Sequence, residues 1–182
     1  MQVAEAEIAD QPQLMQRARG TGRISTAMPV EGRTRLDRLY QEGCAKIRLP
    51  RTHVPAMQAV LINTAGGLTG GDRFDWTAMA APGTELVLTT QTCERIYQSR
   101  SGAARVATTL KVGAGAHIDW LPQETILFDK SALERTLEVD LEENASATLL
   151  EAVILGREAM GEDAMSASLF DRWRIRQHGR LL

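Results

Sequence analysis

A mainly β fold, with many short strands in a sandwich- or β-solenoid-like core and few short helices, follows from three features of this chain. Alternating apolar and polar residues recur along it, turn signals separate them at short intervals, and helical periodicity is nearly absent. The alternation is clearest where Leu133, Leu137, Val139 and Leu141 interleave with Glu134, Thr136, Glu138, Asp140 and Glu142. Pro82-Gly83, Gly113-Ala114-Gly115 and Glu143-Asn144 write the turns. No repeat period is clean enough to define a propeller.

Residues 1–22 are polar and rich in Ala, Gln and Arg, which predicts a loose arm with a helical turn or two around Gln13 to Arg19. Residues 23–182 predict one β-rich domain. From Cys44 to Leu49, Ala45, Ile47 and Leu49 share one face and Lys46 and Arg48 the other, a half-buried strand stopped by Pro50. Val60-Leu61-Ile62 has the composition of a strand buried on both faces. Beyond it stand two glycine pairs, Gly66-Gly67 and Gly70-Gly71, closed by Asp72-Arg73.

Strands then follow one another. Phe74, Trp76 and Ala78 alternate with Asp75 and Thr77, and Thr84 to Thr92 is rich in strand-favouring Thr, Val and Leu. Ala104, Val106, Thr108, Leu110 and Val112 share a face. Ile118 and Trp120 lead to Pro122 and the apolar run Thr125 to Phe128. Ala145 to Leu155 is apolar on both faces, and Arg157 to Met165 is the one stretch that predicts a short helix.

Composition excludes several classes of function. The 182 residues suffice for one domain with a real core, and a net charge of −2 marks no global field for nucleic acid or membrane. Aromatics at 4% disfavour a base-stacking surface. Cys44 and Cys93 form no CxxC pair, which argues against a disulfide framework and fits a reducing compartment. No apolar signal core or membrane-length run is present, so a cytoplasmic protein is the expectation. The charges are sorted along the chain: residues 16–51 carry nine Arg or Lys against three acids, and residues 133–163 carry nine acids against Arg135 and Arg157. That asymmetry suggests protein partners.

Candidate chemistry is sparse. Gly66 and Gly71 have the spacing of a phosphate-cradling loop, but Asp72 and Arg73 stand where Lys and Ser or Thr are needed, and a carboxylate there repels phosphate. A tight double turn at a sheet corner is the plainer reading. His53, His117 and His178 lie far apart, with no zinc spacing to either cysteine. Arg95 favours a Cys93 thiolate, Glu94 opposes it, and a small buried residue is the better reading of Cys93. Glu151 stands alone in an apolar run, where a carboxylate is costly unless it is paired, for example with Arg157, or faces a wet space. Glu124 repeats the theme. Together with Asp72, the two acids are candidates to line one polar passage for transient hard or borderline cations.

Four segments, taken in order, resemble the urease accessory protein UreD (UreH) family. They are Leu61 to Asp72, Thr89-Thr90-Gln91 with Tyr97-Gln98-Ser99, Trp120 to Phe128, and Leu155-Gly156-Arg157 with Met160-Gly161-Glu162. The likeness spans about residues 24 to 182, and makes residues 23–182 a UreD-like domain that is C-terminally incomplete relative to the family. It implies no enzyme and no tightly bound cofactor. It implies a maturation factor of nitrogen metabolism that binds apo-urease and UreF, with UreF recruiting the GTPase UreG, and that helps nickel reach the urease active site through a tunnel. Asp72 matches the family's aspartate closing the glycine loop, Glu151 an acid of that tunnel, and Glu124 and Glu162 acidic motif positions.

A second class stays open at this stage, an all-β carbohydrate-active enzyme using paired carboxylates. It requires two acids across one open, aromatic-lined cleft. Acids on an internal passage favour the first class.

Overall fold

The computed structural model describes residues 16–157, 161 and 163–182. Strand β1 (Arg19–Val30) and strand β2 (Arg33–Gly43) form an antiparallel hairpin, and β3 (Ala45–Arg48) follows. Four coils then stack. The first is β4 (Met57–Asn63), the glycine loop and β5 (Arg73–Ala80). The second is β6 (Glu85–Thr90), β7 (Glu94–Ile96) and β8 (Ala104–Val112), and the third is β9 (His117–Leu121), β10 (Thr125–Leu127) and β11 (Ala132–Leu141). The fourth is β12 (Ser146–Leu149), β13 (Val153–Leu155) and β14 (Ser168–Gln177), from which β15 (Arg180–Leu181) folds back.

Each coil adds one parallel strand to each of three walls. The order is β12-β9-β6-β4-β3 in the first, β13-β10-β7 in the second, and β15-β14-β11-β8-β5-β1-β2 in the third. Met57 pairs with Leu86, Glu85 with His117, and His117 with Ser146, a rise of about 30 residues per coil. Parallel pairing between successive coils makes this a solenoid rather than a sandwich. The expected turns stack at one corner: Gly83 donates its N–H to Ala114 O, and Gly115 to Glu143 O, both at 2.9 Å. Gly83, Gly115 and Asn144 all have positive φ there, where glycine and asparagine are tolerated best.

Alternation fixes which side chains enter the solenoid. Leu61, Leu88, Leu110, Ile118 and Leu137 meet in one buried cluster, and Leu68, Phe74, Ile96, Leu127 and Leu133 in a second. The glycine loop is the first rung of the short wall, because Leu68 bridges Ile96 in parallel. Leu68, Ile96 and Leu127 are buried in succession, and Leu155, next in register, is 66% exposed.

Several expectations are corrected. Val60 and Ile62 are half-buried while Ala59 and Leu61 face the core, because one side of the five-stranded wall points out. Val153, Ile154 and Leu155 are exposed on the fourth coil. Residues 19–22, expected in the arm, belong to β1, where Gly20 and Gly22 let Phe74 and Trp76 approach; a Cβ at either glycine would lie within 2.5 Å of a ring carbon. Residues 1–15 lie outside the described residues, as do 158–160 and 162 of the expected helix. Among the described residues there is no helix.

Candidate functional site

The three expected passage residues that are described, Asp72, Glu124 and Glu151, do not converge. Asp72 is buried, and both its oxygens hold backbone: Oδ1 accepts from Ala18 N–H and Oδ2 from Thr69 N–H, each at 2.8 Å. That carboxylate clamps the start of β1 to the glycine loop. Glu124 is half-buried, and its carbonyl accepts from Glu94 N–H at 2.9 Å. Glu162 lies outside the described residues. Of the three described, Glu151 lines an interior cavity.

Around Glu151 the lining becomes charged. Its side chain is 3% exposed, and Trp120 Nε1 donates to its Oε1 at 2.8 Å. The cation beside it is Arg135, not Arg157: Arg135 Nε lies 2.9 Å from Glu151 Oε2. Arg157 stacks its guanidinium 4.5 Å from the centre of the Phe128 ring. Arg135 directs its hydrogens elsewhere, to Asp171 Oδ2 from Nε and Nη2 and to Thr125 Oγ1 from Nη1 at 3.2 Å. Glu151 Oε2 is left without a hydrogen bond although it is buried. Burial pushes the Glu151 carboxyl above the usual carboxylate range, against the pull of Arg135 and Trp120 and with a further push from Asp171.

A second interior carboxylate comes from β7. Asn63 Nδ2 donates to both oxygens of Glu94, at 3.1 and 3.2 Å. Burial outweighs this donor and raises the Glu94 carboxyl to about 7. Glu94, Arg135 and Glu151 line one cavity of about 60 Å³, with Thr90, Trp120 and Thr125. A neighbouring cavity of about 90 Å³ shares Trp76, Thr90 and Glu94 with it and adds Asn63 and Cys93. Cys93 is half-buried, not buried as expected.

Neither cavity has the several hundred Å³ of a typical ligand site, so neither accommodates a carbohydrate. A larger surface cleft, about 730 Å³, lies apart from both; it is lined among others by Arg38, Lys111, Asp140, Glu142 and His178. It contains none of the expected site residues. Among the described residues no three His, Cys, Asp or Glu side chains gather around a position that would hold one metal ion.

Sequence reasoning missed Glu94, Arg135 and Asp171, though a signal was present. Arg135 interrupts the inward series Leu133, Leu137 and Val139, and Asp171 stands in register with it among Leu169, Trp173 and Ile175. Glu94 lies two residues from buried Ile96 on the same short strand.

Fold and interior together define a class: a parallel β-solenoid with an ion-paired core at one end. The model of the UreD urease accessory protein family matches residues 18–182. The chain is 64% identical over 181 residues to the urease accessory protein UreD of Chelativorans sp. (strain BNC1), covering 100% of this chain and 64% of that protein. It is 59% identical over 167 residues to that of Rhizobium johnstonii, covering 92% and 61%, and 58% identical over 177 residues to that of Agrobacterium fabrum, covering 97% and 62%. This chain belongs to the UreD family. It spans somewhat over three-fifths of the length of these curated relatives. No helix among the described residues is long and apolar enough to cross a membrane.

Proposed function

We propose that this chain acts in the cytoplasm in urease maturation, as a non-enzymatic scaffold that binds apo-urease and UreF, works with UreG, and helps conduct nickel to the urease active site. Family membership supports the maturation role. One observation supports the conduit: Glu94 and Glu151 line adjoining cavities of mixed lining, with Asn63, Thr90 and Thr125 beside Trp76 and Trp120. A carboxylate is costly in such a place without a partner or water. Nickel is cargo in this reading and does not reside.

The test uses the complete protein with Glu151→Gln, co-expressed with apo-urease and the accessory partners. Pull-down of UreF and urease should be preserved, while bound nickel and urease activity fall. Preserved assembly with normal nickel loading would remove Glu151 from the route. Failure of the wild-type protein to bind either UreF or apo-urease would remove the scaffold role.

A further inference from the structure

At the first end of the solenoid two walls finish on edge strands, β2 in the seven-stranded order and β3 in the five-stranded one. Leu39 pairs with buried Ile24 and Leu36 with buried Thr26, so both leucines stand on the core side of β2. Gln41 Oε1 accepts from Ile47 N–H at 2.8 Å and ties β2 to β3 at one end of this seam. At the other end Arg33 Nη2 donates to Thr52 O and Val54 O, each at 3.2 Å. Between these ties Leu36, Leu39, Leu49 and Val54 are 39%, 38%, 37% and 45% exposed, an apolar strip on the edges of two walls. Its flanks are cationic. Arg35 adjoins Leu36, Arg48 adjoins Leu49, and Arg51 stands between Leu49 and Val54. All three are exposed, and among the described residues none is paired with an acid; Arg48 donates only to Ile47 O at 3.4 Å. The acids of β2 are engaged elsewhere, Asp37 by Ser25 and Glu42 by Tyr40.

We propose that this seam is a docking surface for an acidic, apolar-faced segment of a partner protein. Aliphatic side chains of such a segment cover the strip, and carboxylates at its margins give the arginines bidentate partners. An apolar centre with arginine around it is the composition of a protein interface. A second copy of this chain has no free acids to offer from its acidic third coil. Arg105 holds Glu134 and Arg176 holds Glu138, both at 2.8 Å, and Glu142 accepts from Ala114 N–H at 3.0 Å. Nucleic acid would satisfy the arginines and leave the aliphatic centre uncovered, and the one ring of β2, Tyr40, already carries Arg23 on its face. The inference rests on the scaffold reading for the existence of a protein partner, and adds the surface and the chemistry it selects.

Fluorescence anisotropy of the full chain with a labelled amphipathic peptide, leucine on one face and glutamate on the other, tests this. The peptide should bind, and its counterpart with lysine for glutamate should not. Arg35→Glu with Arg51→Glu should weaken binding by about tenfold or more. Leu36→Asn with Leu39→Asn should do the same, which attraction between charges alone does not predict. Arg100→Glu, in the loop between β7 and β8, should leave binding unchanged. Absence of binding, or equal binding by the arginine variant, overturns the proposal even if the leucine variant fails to fold. Tighter binding of a labelled oligouridylate than of the acidic peptide would make the surface one for nucleic acid and overturn it. So would peptide binding that appears only after Glu5→Gln, Glu7→Gln and Asp10→Asn, since the chain's own first residues would then be the occupant. The scaffold reading fails separately, on failure of the wild-type protein to pull down UreF or apo-urease, whatever peptide binds.

Discussion

At Asp72 a single carboxylate ties Ala18 to Thr69, joining segments that are far apart in sequence. Asp72→Asn replaces one acceptor with a donor facing an N–H, and should lower stability by about 2 kcal/mol in urea denaturation. An unchanged midpoint would show that the clamp contributes nothing. Glu94 makes the opposite kind of prediction. Its carboxyl sits at about 7 in the folded chain, against 4.5 as the ordinary value. Between those pH values the folded state keeps a proton that the unfolded state has lost, so stability falls as pH rises through that window. Below about 4.5 both states are protonated and nothing is lost; above about 7 the loss is complete, at most about 3 kcal/mol. Glu94→Gln should flatten thermal unfolding between pH 5 and 8 and raise the midpoint at pH 8. Parallel profiles for the two proteins would refute the assignment. At this scale the site was half legible. Glu151 announces itself as a lone acid among apolar neighbours, but its partnership with Arg135 and Asp171 depends on strand register, which no local pattern encodes.

The glycine loop is where an element's geometry can be read residue by residue. Gly66 has φ +78° with open space around it, whereas a Cβ on Gly70 would stand 2.0 Å from Ser99 Oγ and 2.4 Å from Ser101 O. Gly66→Ala should therefore cost about 1 kcal/mol through backbone strain. Gly70→Ala should cost about 3 kcal/mol by overpacking, although its φ is ordinary. Urea midpoints in the order wild type, Gly66→Ala, Gly70→Ala check this, and the reverse order would contradict it. The sequence marked this loop as shaped and could not say by what. The answer is the neighbouring coil: Ser99 to Gly102 of the second turn presses on Gly70 of the first. Strands such as β8 and β11 were plain from alternation, because one face of each is apolar and the other polar. In β13, Val153-Ile154-Leu155 is apolar on both faces, yet all three side chains are exposed.

For the whole molecule, the consequence of stacking is an unmatched end. Leu150, Leu155 and Phe170 are 57%, 66% and 53% exposed on the fourth coil. Contiguous apolar exposure of this kind promotes association. The chain should self-associate with rising concentration, and Leu155→Lys with Phe170→Asp should return it to a monomer in sedimentation velocity with little change in thermal midpoint. A clean monomer of the parent chain at high concentration would contradict this. The coil repeat escaped sequence reading because equivalent positions hold chemically unlike residues. Phe74, Val106, Arg135 and Asp171 share one place in the wall, and only backbone pairing reveals their kinship.

The stacked corner of Gly83, Gly115 and Asn144 joins coils that also pair edge to edge along their walls, so the molecule resembles a short spring wound from one ribbon. Pulled from its C-terminal end, such a spring unwinds from the outermost winding inward. Each winding of about 30 residues frees about 100 Å of contour length. Optical-trap extension should therefore show discrete rips near that length, with the β1–β2 end the last to yield, since β1 is bonded on both edges by β2 and β5.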